Sequence, residues 1–310
     1  MATVPLIFPS LSRQPSMDSS KNIEDDTIRD QMESGYVATR PRFTRVRRTW
    51  KINVRNLVAE DVRTLDQFSM VTAARGANSF LYPNLLPNGS FEFAAQIAAD
   101  VALGWNISGA TPQEAIGIGT VTVEDGTHAL NFTTVAAQSI PANSTVTGAV
   151  TADQRISCTP GEVYLFTASA NGVQGTLAAG VLQPGVRIAF FDANGNTLST
   201  LTGPVATVGS GWQPYSYQFT IPANAITFGV SLAVALVNSG ATAVTLDNSA
   251  SVAWDSVGCA LLTPLTPYGR MAGSQPLGCL LRFSKLPETS DIGMGQGVKR
   301  YGASFELTEV

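Results

Sequence analysis

The chain has 310 residues, 44% of them hydrophobic and only 14% charged, with a formal net charge of −4. So much apolar material excludes wholesale disorder and predicts about two domains, while the charge gives no global reason to bind nucleic acid. Three cysteines (Cys158, Cys259, Cys279) and a single histidine, His128, exclude a disulfide scaffold and a cysteine–histidine zinc cage, and leave one candidate base for any nucleophile.

The first 34 residues are polar with little periodicity, and the opening MATVPLIFPSLSRQPS lacks the basic start and apolar core of a signal peptide. The reading is a protein that carries no export signal of its own. From Gly35 the text turns strand-like. Val46, Arg48, Trp50, Ile52 and Val54 alternate with Arg45, Arg47, Thr49 and Lys51, the period of a half-exposed antiparallel strand. Glu60 and Asp61 suit a helix first turn, and Val62, Leu65 and Phe68 follow at helical spacing.

Strand and turn signals then recur to about residue 263. Asp125-Gly126 is a hairpin dipeptide, Pro160-Gly161 a turn before an alternating run, and Asp192-Ala193-Asn194-Gly195 a turn between two strands. Pro222 separates two further strands, and SVAWDSVGCALL closes the series. The longest apolar run, 225–237, has 13 residues and is too short to span a bilayer, so no membrane insertion is expected. The last segment, 279–310, reads as strand, Gly-rich turn, strand; Gly293-Met294-Gly295-Gln296-Gly297 lacks the Lys-Ser/Thr and the strand–turn–helix context of a phosphate loop.

Charge divides the chain. Residues 1–80 carry 12 Lys/Arg and 9 Asp/Glu, residues 81–263 carry 2 and 10, and residues 264–310 carry 5 and 4. The middle holds no lysine; its cations are Arg155 and Arg187. A composition step that reverses is the mark of an insertion, because a plain tandem would change once. The expected class is mainly β: a small β-rich domain with one helix, split into 1–80 and 264–310, carrying a β-sandwich over 81–263.

The middle segment resembles carbohydrate-binding modules of the family-4/9 type, which implies an inserted jelly-roll β-sandwich. The matching pieces, in family order, are Asn84-Leu85-Leu86-Pro87-Asn88-Gly89-Ser90-Phe91-Glu92, Gly104-Trp105, Gly126-Thr127-His128-Ala129-Leu130, Thr159-Pro160-Gly161-Glu162-Val163-Tyr164, Gly211-Trp212 with Pro222-Ala223-Asn224-Ala225, and Val252-Ala253-Trp254-Asp255-Ser256-Val257. The ends resemble distal-tail or minor-tail proteins of long-tailed bacteriophages, on Gly35-Tyr36, Arg40, Trp50, Leu65 to Phe68, Phe80-Leu81-Tyr82-Pro83, Arg282-Phe283, Pro287 and Phe305-Glu306 to Val310.

These resemblances imply a non-enzymatic virion protein: a ring subunit of a tail tip, homo-hexameric, meeting tail tube, hub and baseplate proteins, whose insert binds host cell-surface polysaccharide. Trp105 and Tyr164 are the candidate sugar-stacking residues, whereas Trp212 and Trp254 match family positions that are structural. The only implied cofactor is a structural calcium ion, with Glu92 and Asp255 as its acids. Arg42, Arg45, Arg47 and Arg48 are either a solvated strand face or, since arginine suits interface ion pairs, ring contacts; no sequence-specific nucleic acid is expected. His128 and Cys158 lack a third orienting group, and the cysteines read as reduced core residues. The alternative function is a secreted carbohydrate-binding accessory or adhesin without a virion role. Ala-rich VSLAVALV offers no aromatic platform, which leaves a spacer role open as well.

Overall fold

A computed structural model describes residues 6–9, 11, 19–23, 27–31, 37–41, 48–86, 91, 104–108, 114–119, 128–134, 138–152, 155–173, 182–206, 209–246, 251–263, 270–272, 275–277, 279–295 and 298–310. The chain is mainly β, with one α-helix among the described residues, and divides into two compact bodies. One body is made of 13–82 and 268–310; the other of 83–267 together with 1–12. The short strand Leu6–Ile7 thus groups with the middle body. Ile7 Cγ2 lies 3.3 Å from where a Cβ on Gly258 would stand, so the two segments pack closely.

The end body is a sheet in which both chain ends take part. Strand 298–309 lies between 48–57 and 279–295, and 279–295 continues to 80–82. In strand 48–57, Trp50, Ile52 and Val54 are buried while Thr49, Lys51 and Asn53 are not, which is the period-two pattern of the sequence. Across the ladder Trp50 pairs with Leu307, Ile52 with Phe305 and Val54 with Ala303, apolar against apolar. Strand 20–23 adds to the outer edge of 48–57, and strands 27–31 and 37–41 form a separate two-stranded ribbon.

Helix Ala59–Gln67 follows strand 48–57 after a single residue. Its first turn is closed by Asp61, whose Oδ2 accepts the Val58 N–H at 3.0 Å. The helix then widens into a π-turn, Phe68–Thr72, which the apolar spacing did not foretell. Widening buries both Phe68 and Ser69, and Phe68 meets Phe80 edge-on at 5.2 Å between ring centroids. Phe283 lies 5.0 Å from Phe80 and 5.8 Å from Phe305. This four-ring cluster draws two residues from each end of the chain, and each such pair is worth about 0.5–1.5 kcal/mol beyond the area it buries. Gly76 (φ +87°) passes so close to the 279–295 strand that a Cβ there would stand 2.5 Å from the Phe283 carbonyl oxygen.

The middle body is a sandwich of two antiparallel sheets. The front sheet runs 197–202, 182–191, 227–238, 144–152, 105–108, with the short strand 156–157 also on 227–238. The back sheet runs 209–220, 163–173, 251–263, 129–134, 114–119. Rings from both sheets fill the space between them: Tyr164 meets Phe228 at 4.8 Å and Phe219 meets Phe228 at 5.3 Å. Asn238 pins one end, its Nδ2 donating to the carbonyls of Ile140, Pro141 and Thr242 at 2.9–3.0 Å. Asn84 pins the start: its Nδ2 donates to Val257 O and its Oδ1 accepts from Cys259 N, so residues after Tyr82 run beside the 251–263 strand. The expected hairpin at Asp125-Gly126 lies outside the described residues.

The chain leaves the end body at Tyr82, and Tyr82 is the register partner of Cys279. Facing residues of an antiparallel pair are about 5 Å apart at Cα, close enough for a two-residue turn to join such strands. Replacing residues 83–278 by Asn-Gly is therefore expected to leave a folded end body. A sheet-type circular dichroism spectrum with one cooperative urea transition checks this; a chain without a transition would contradict it.

Candidate functional site

Trp105 and Tyr164, the sugar-stacking candidates of the resemblance, are both core residues. Trp105 is 1% exposed and packs on Phe91 at 5.4 Å; Tyr164 is fully buried against Phe219 and Phe228. Neither offers a ring face to a ligand here, which corrects that assignment. The signal was present in the sequence: Trp105 and Ile107 alternate with Asn106 and Ser108, and Tyr164, Phe166 and Ala168 with Thr167 and Ser169. Trp254 is fully buried, as a structural tryptophan should be. Trp212 is not; it is half-buried, on an edge strand, and shares the parity of the exposed Pro214, Ser216 and Gln218 while Tyr215 and Phe219 turn to the core.

Tyr164 instead closes a turn. Its hydroxyl donates to Glu162 Oε2 at 3.0 Å, and the same oxygen accepts the Thr159 N–H at 2.9 Å. Glu162 is itself buried, and its backbone exchanges hydrogen bonds with Thr159 and Ile221. A buried carboxylate is tolerable because donors surround it.

Of the calcium acids, Asp255 is fully buried, with Oδ1 accepting the Ser256 N–H at 2.7 Å, and Glu92 lies outside the described residues. A buried carboxylate oxygen is the hard donor that calcium prefers, so Asp255 fits the role of one anionic ligand. Among the described residues no three His, Cys, Asp or Glu side chains gather as a metal cluster. Arg42, Arg45 and Arg47 also lie outside the described residues; Arg48 starts the 48–57 strand, half-buried. Cys158 and Cys259 are buried and form no disulfide, and burial pushes the Cys259 thiol above its ordinary value, which disfavours a thiolate.

The outward side of the front sheet is the surface that the sequence left unread. Along strand 182–191, Leu182, Val186, Ile188 and Phe190 are buried, and Gln183, Arg187, Ala189 and Phe191 take the other parity. Arg187 is exposed, and register places Thr202 on one side of it and Ser231 on the other, continuing through Thr151 to Asn106. At the end of the same strand the Arg155 guanidinium lies 3.7 Å above the Phe191 ring. The same ring also reaches Gly229, with Phe191 Cε2 3.5 Å from where a Cβ at 229 would stand. The neighbouring Asp192 carboxylate is held by its own turn: Oδ1 accepts the Asn194 and Asn196 N–H groups and Oδ2 the Asn196 side chain, which keeps its pKa below the usual value. The two cations of the Lys-free segment therefore share one face. Their rarity was visible in the sequence; their meeting was not.

No protein-family model matches the sequence, and no curated protein matches it. Solved structures with some likeness include the enzymatically active domain of tailspike protein 4 from bacteriophage CBA120. It is 17% identical, the match covers 57% of this chain and 21% of that one, and the TM-score is 0.39. The CBM22-1 xylan-binding domain of Paenibacillus barcinonensis Xyn10C is 13% identical over 56% of this chain and 92% of that one, with a TM-score of 0.36. A Stig cyclase, Fisc from Fischerella sp. TAU, is 12% identical over 59% and 97%, with a TM-score of 0.37. Likeness at this level assigns neither a family nor a ligand to this chain.

The role of Tyr164 can be checked directly. Tyr164→Phe removes one donor from a buried carboxylate and is expected to cost about 1–3 kcal/mol of stability. Urea denaturation measures this, and an unchanged midpoint would contradict the turn-closing role.

Proposed function

We propose that this chain is a structural subunit of a bacteriophage tail tip, a distal-tail or minor-tail ring protein, whose inserted sandwich binds host-surface glycans. The observation that carries this reading is the insertion itself. The sandwich departs and returns through two paired strands of the end body, Tyr82 against Cys279. The end body would serve assembly while the insert serves attachment. Loop tips between strands are where domains are tolerated as insertions. The resemblance of the ends to tail proteins supplies the assembly half, and that of the middle to carbohydrate-binding modules supplies the attachment half.

A ring of copies multiplies weak contacts. Several sandwiches on one particle raise the effective concentration at a cell surface, so a modest affinity per copy suffices. The end body would contribute a heterologous interface that closes by rotation, six-fold by the resemblance, with Arg48 and the arginines before it as candidate contacts. In the sandwich, Asp255 with Glu92 would hold calcium, which would neutralise buried charge and tie the opening segment to the closing strand.

Mass photometry of the full chain at rising concentration tests assembly: closed rings are expected, and monomers at every concentration would overturn that half. Whole-cell binding before and after periodate stripping of surface polysaccharide tests attachment; undiminished binding to stripped cells would favour a protein adhesin. For calcium, thermal unfolding in calcium against chelator is expected to show a stabilisation of about 2.7 kcal/mol at a hundredfold excess over Kd. Asp255→Asn is expected to remove that difference.

A further inference from the structure

We propose that the outward face of the front sheet binds a carboxylate-bearing polysaccharide, with Arg187 as the side chain that engages the acid. The inference rests on the glycan-binding reading above and names the substrate class of that site.

Residues 81–263 contain ten acids and two arginines, and both arginines stand on this one face. None of the outward register positions of the strands 182–191, 227–238, 144–152, 105–108 and 197–202 is Asp or Glu. Arg187 is exposed and has no ion-pair partner among the described residues. An exposed guanidinium on strands whose outward positions hold no acid, within an otherwise acidic segment, is a local attraction for anions. Its planar fork matches a carboxylate with two parallel hydrogen bonds, and such charge-assisted bonds are about twice as strong as neutral ones.

Stacking cannot carry recognition on this face. Phe191 is the one aromatic residue at these positions, and the Arg155 guanidinium already covers one face of its ring. That guanidinium is exposed, so a second cation accompanies the ring. Arg155 marks the Phe191 end of the strand, four residues and about 13 Å from Arg187, with Ala189 and Gly229 between them leaving the surface low. Thr202 and Ser231 flank Arg187 in register, side chains of the type that hydrogen-bond sugar hydroxyls. Two separated cations suit a chain that carries its acids sugar by sugar. A dense polyphosphate would be repelled by the segment's ten acids more strongly than a sparsely charged polysaccharide.

The test is biolayer interferometry of the full chain on polygalacturonate, alginate and hyaluronate, each beside its carboxyl-reduced, neutral form. Binding to at least one acidic polymer is expected, weakened about tenfold or more by carboxyl reduction and by Arg187→Gln, and weakened by added salt. Arg187→Lys is expected to fall between the two, since it keeps the charge and loses the fork. Unchanged thermal unfolding of these surface variants shows that the fold is intact. Equal binding to acidic and reduced forms, untouched by Arg187→Gln, would overturn the inference and leave the glycan-binding reading standing. Binding to poly(ribitol phosphate) and to none of the three acids would overturn it in favour of phosphate. Absence of binding to every polymer, acidic or neutral, would overturn it together with glycan binding.

Discussion

The structure depends on one constraint, that the two ends of the chain pair with each other. Strand 298–309 fills the gap between strands 48–57 and 279–295, and strand 80–82 seals the far side of 279–295. Neither end could bury its own apolar face. Trp50, Ile52 and Val54 need Leu307, Phe305 and Ala303, and Phe68 and Phe80 need Phe283. These contacts span more than two hundred residues of sequence, so the body closes only after the intervening segment has brought its own ends together. A compact insert with neighbouring termini meets that need, and a β-sandwich anchored at Asn84 and closing with strand 251–263 is such an object.

Within the sandwich, the core claims the aromatic residues. Tyr164, Phe166, Phe190, Phe219, Phe228, Trp105 and Trp254 are all buried, and close packing leaves no latitude for turning them outward. The outward positions of the front sheet are correspondingly small or polar: Ala189, Gly229, Ser231, Thr202. A surface so built has little to offer by stacking; its distinctive groups are hydroxyls and the two arginines. The same economy explains Glu162 and Asp255, buried acids that are tolerated because backbone and hydroxyl donors meet them.

Much of this was legible in the residues. The alternation around Trp50, the acids Glu60 and Asp61 ahead of Leu65, the Pro160-Gly161 and Asp192–Gly195 turns and the reversing charge step are local or compositional signals. The structure follows them at strand 48–57, at helix 59–67 and at both turns. The sugar-binding assignment of Trp105 and Tyr164 went astray for a reason equally local. Resemblance to a family pointed outward while the alternation of the neighbours pointed inward, and the neighbours, which must pack, prevailed. Trp212 erred the other way: it lies on the edge strand 209–220, half-buried at a position whose same-parity neighbours are exposed.

What the sequence determined by itself is the kind of element at each place and a charge step that enters near residue 81 and reverses near 264. Period, turn chemistry and charge are written within a few residues or summed over many, and neither needs a partner to be read. The tertiary structure alone decided which elements meet: Tyr82 with Cys279, Phe80 with Phe283, Arg155 with the ring of Phe191, Arg187 with Thr202 and Ser231. Strand register is a bargain between distant segments, settled by which side chains can be buried together. No local pattern specifies it.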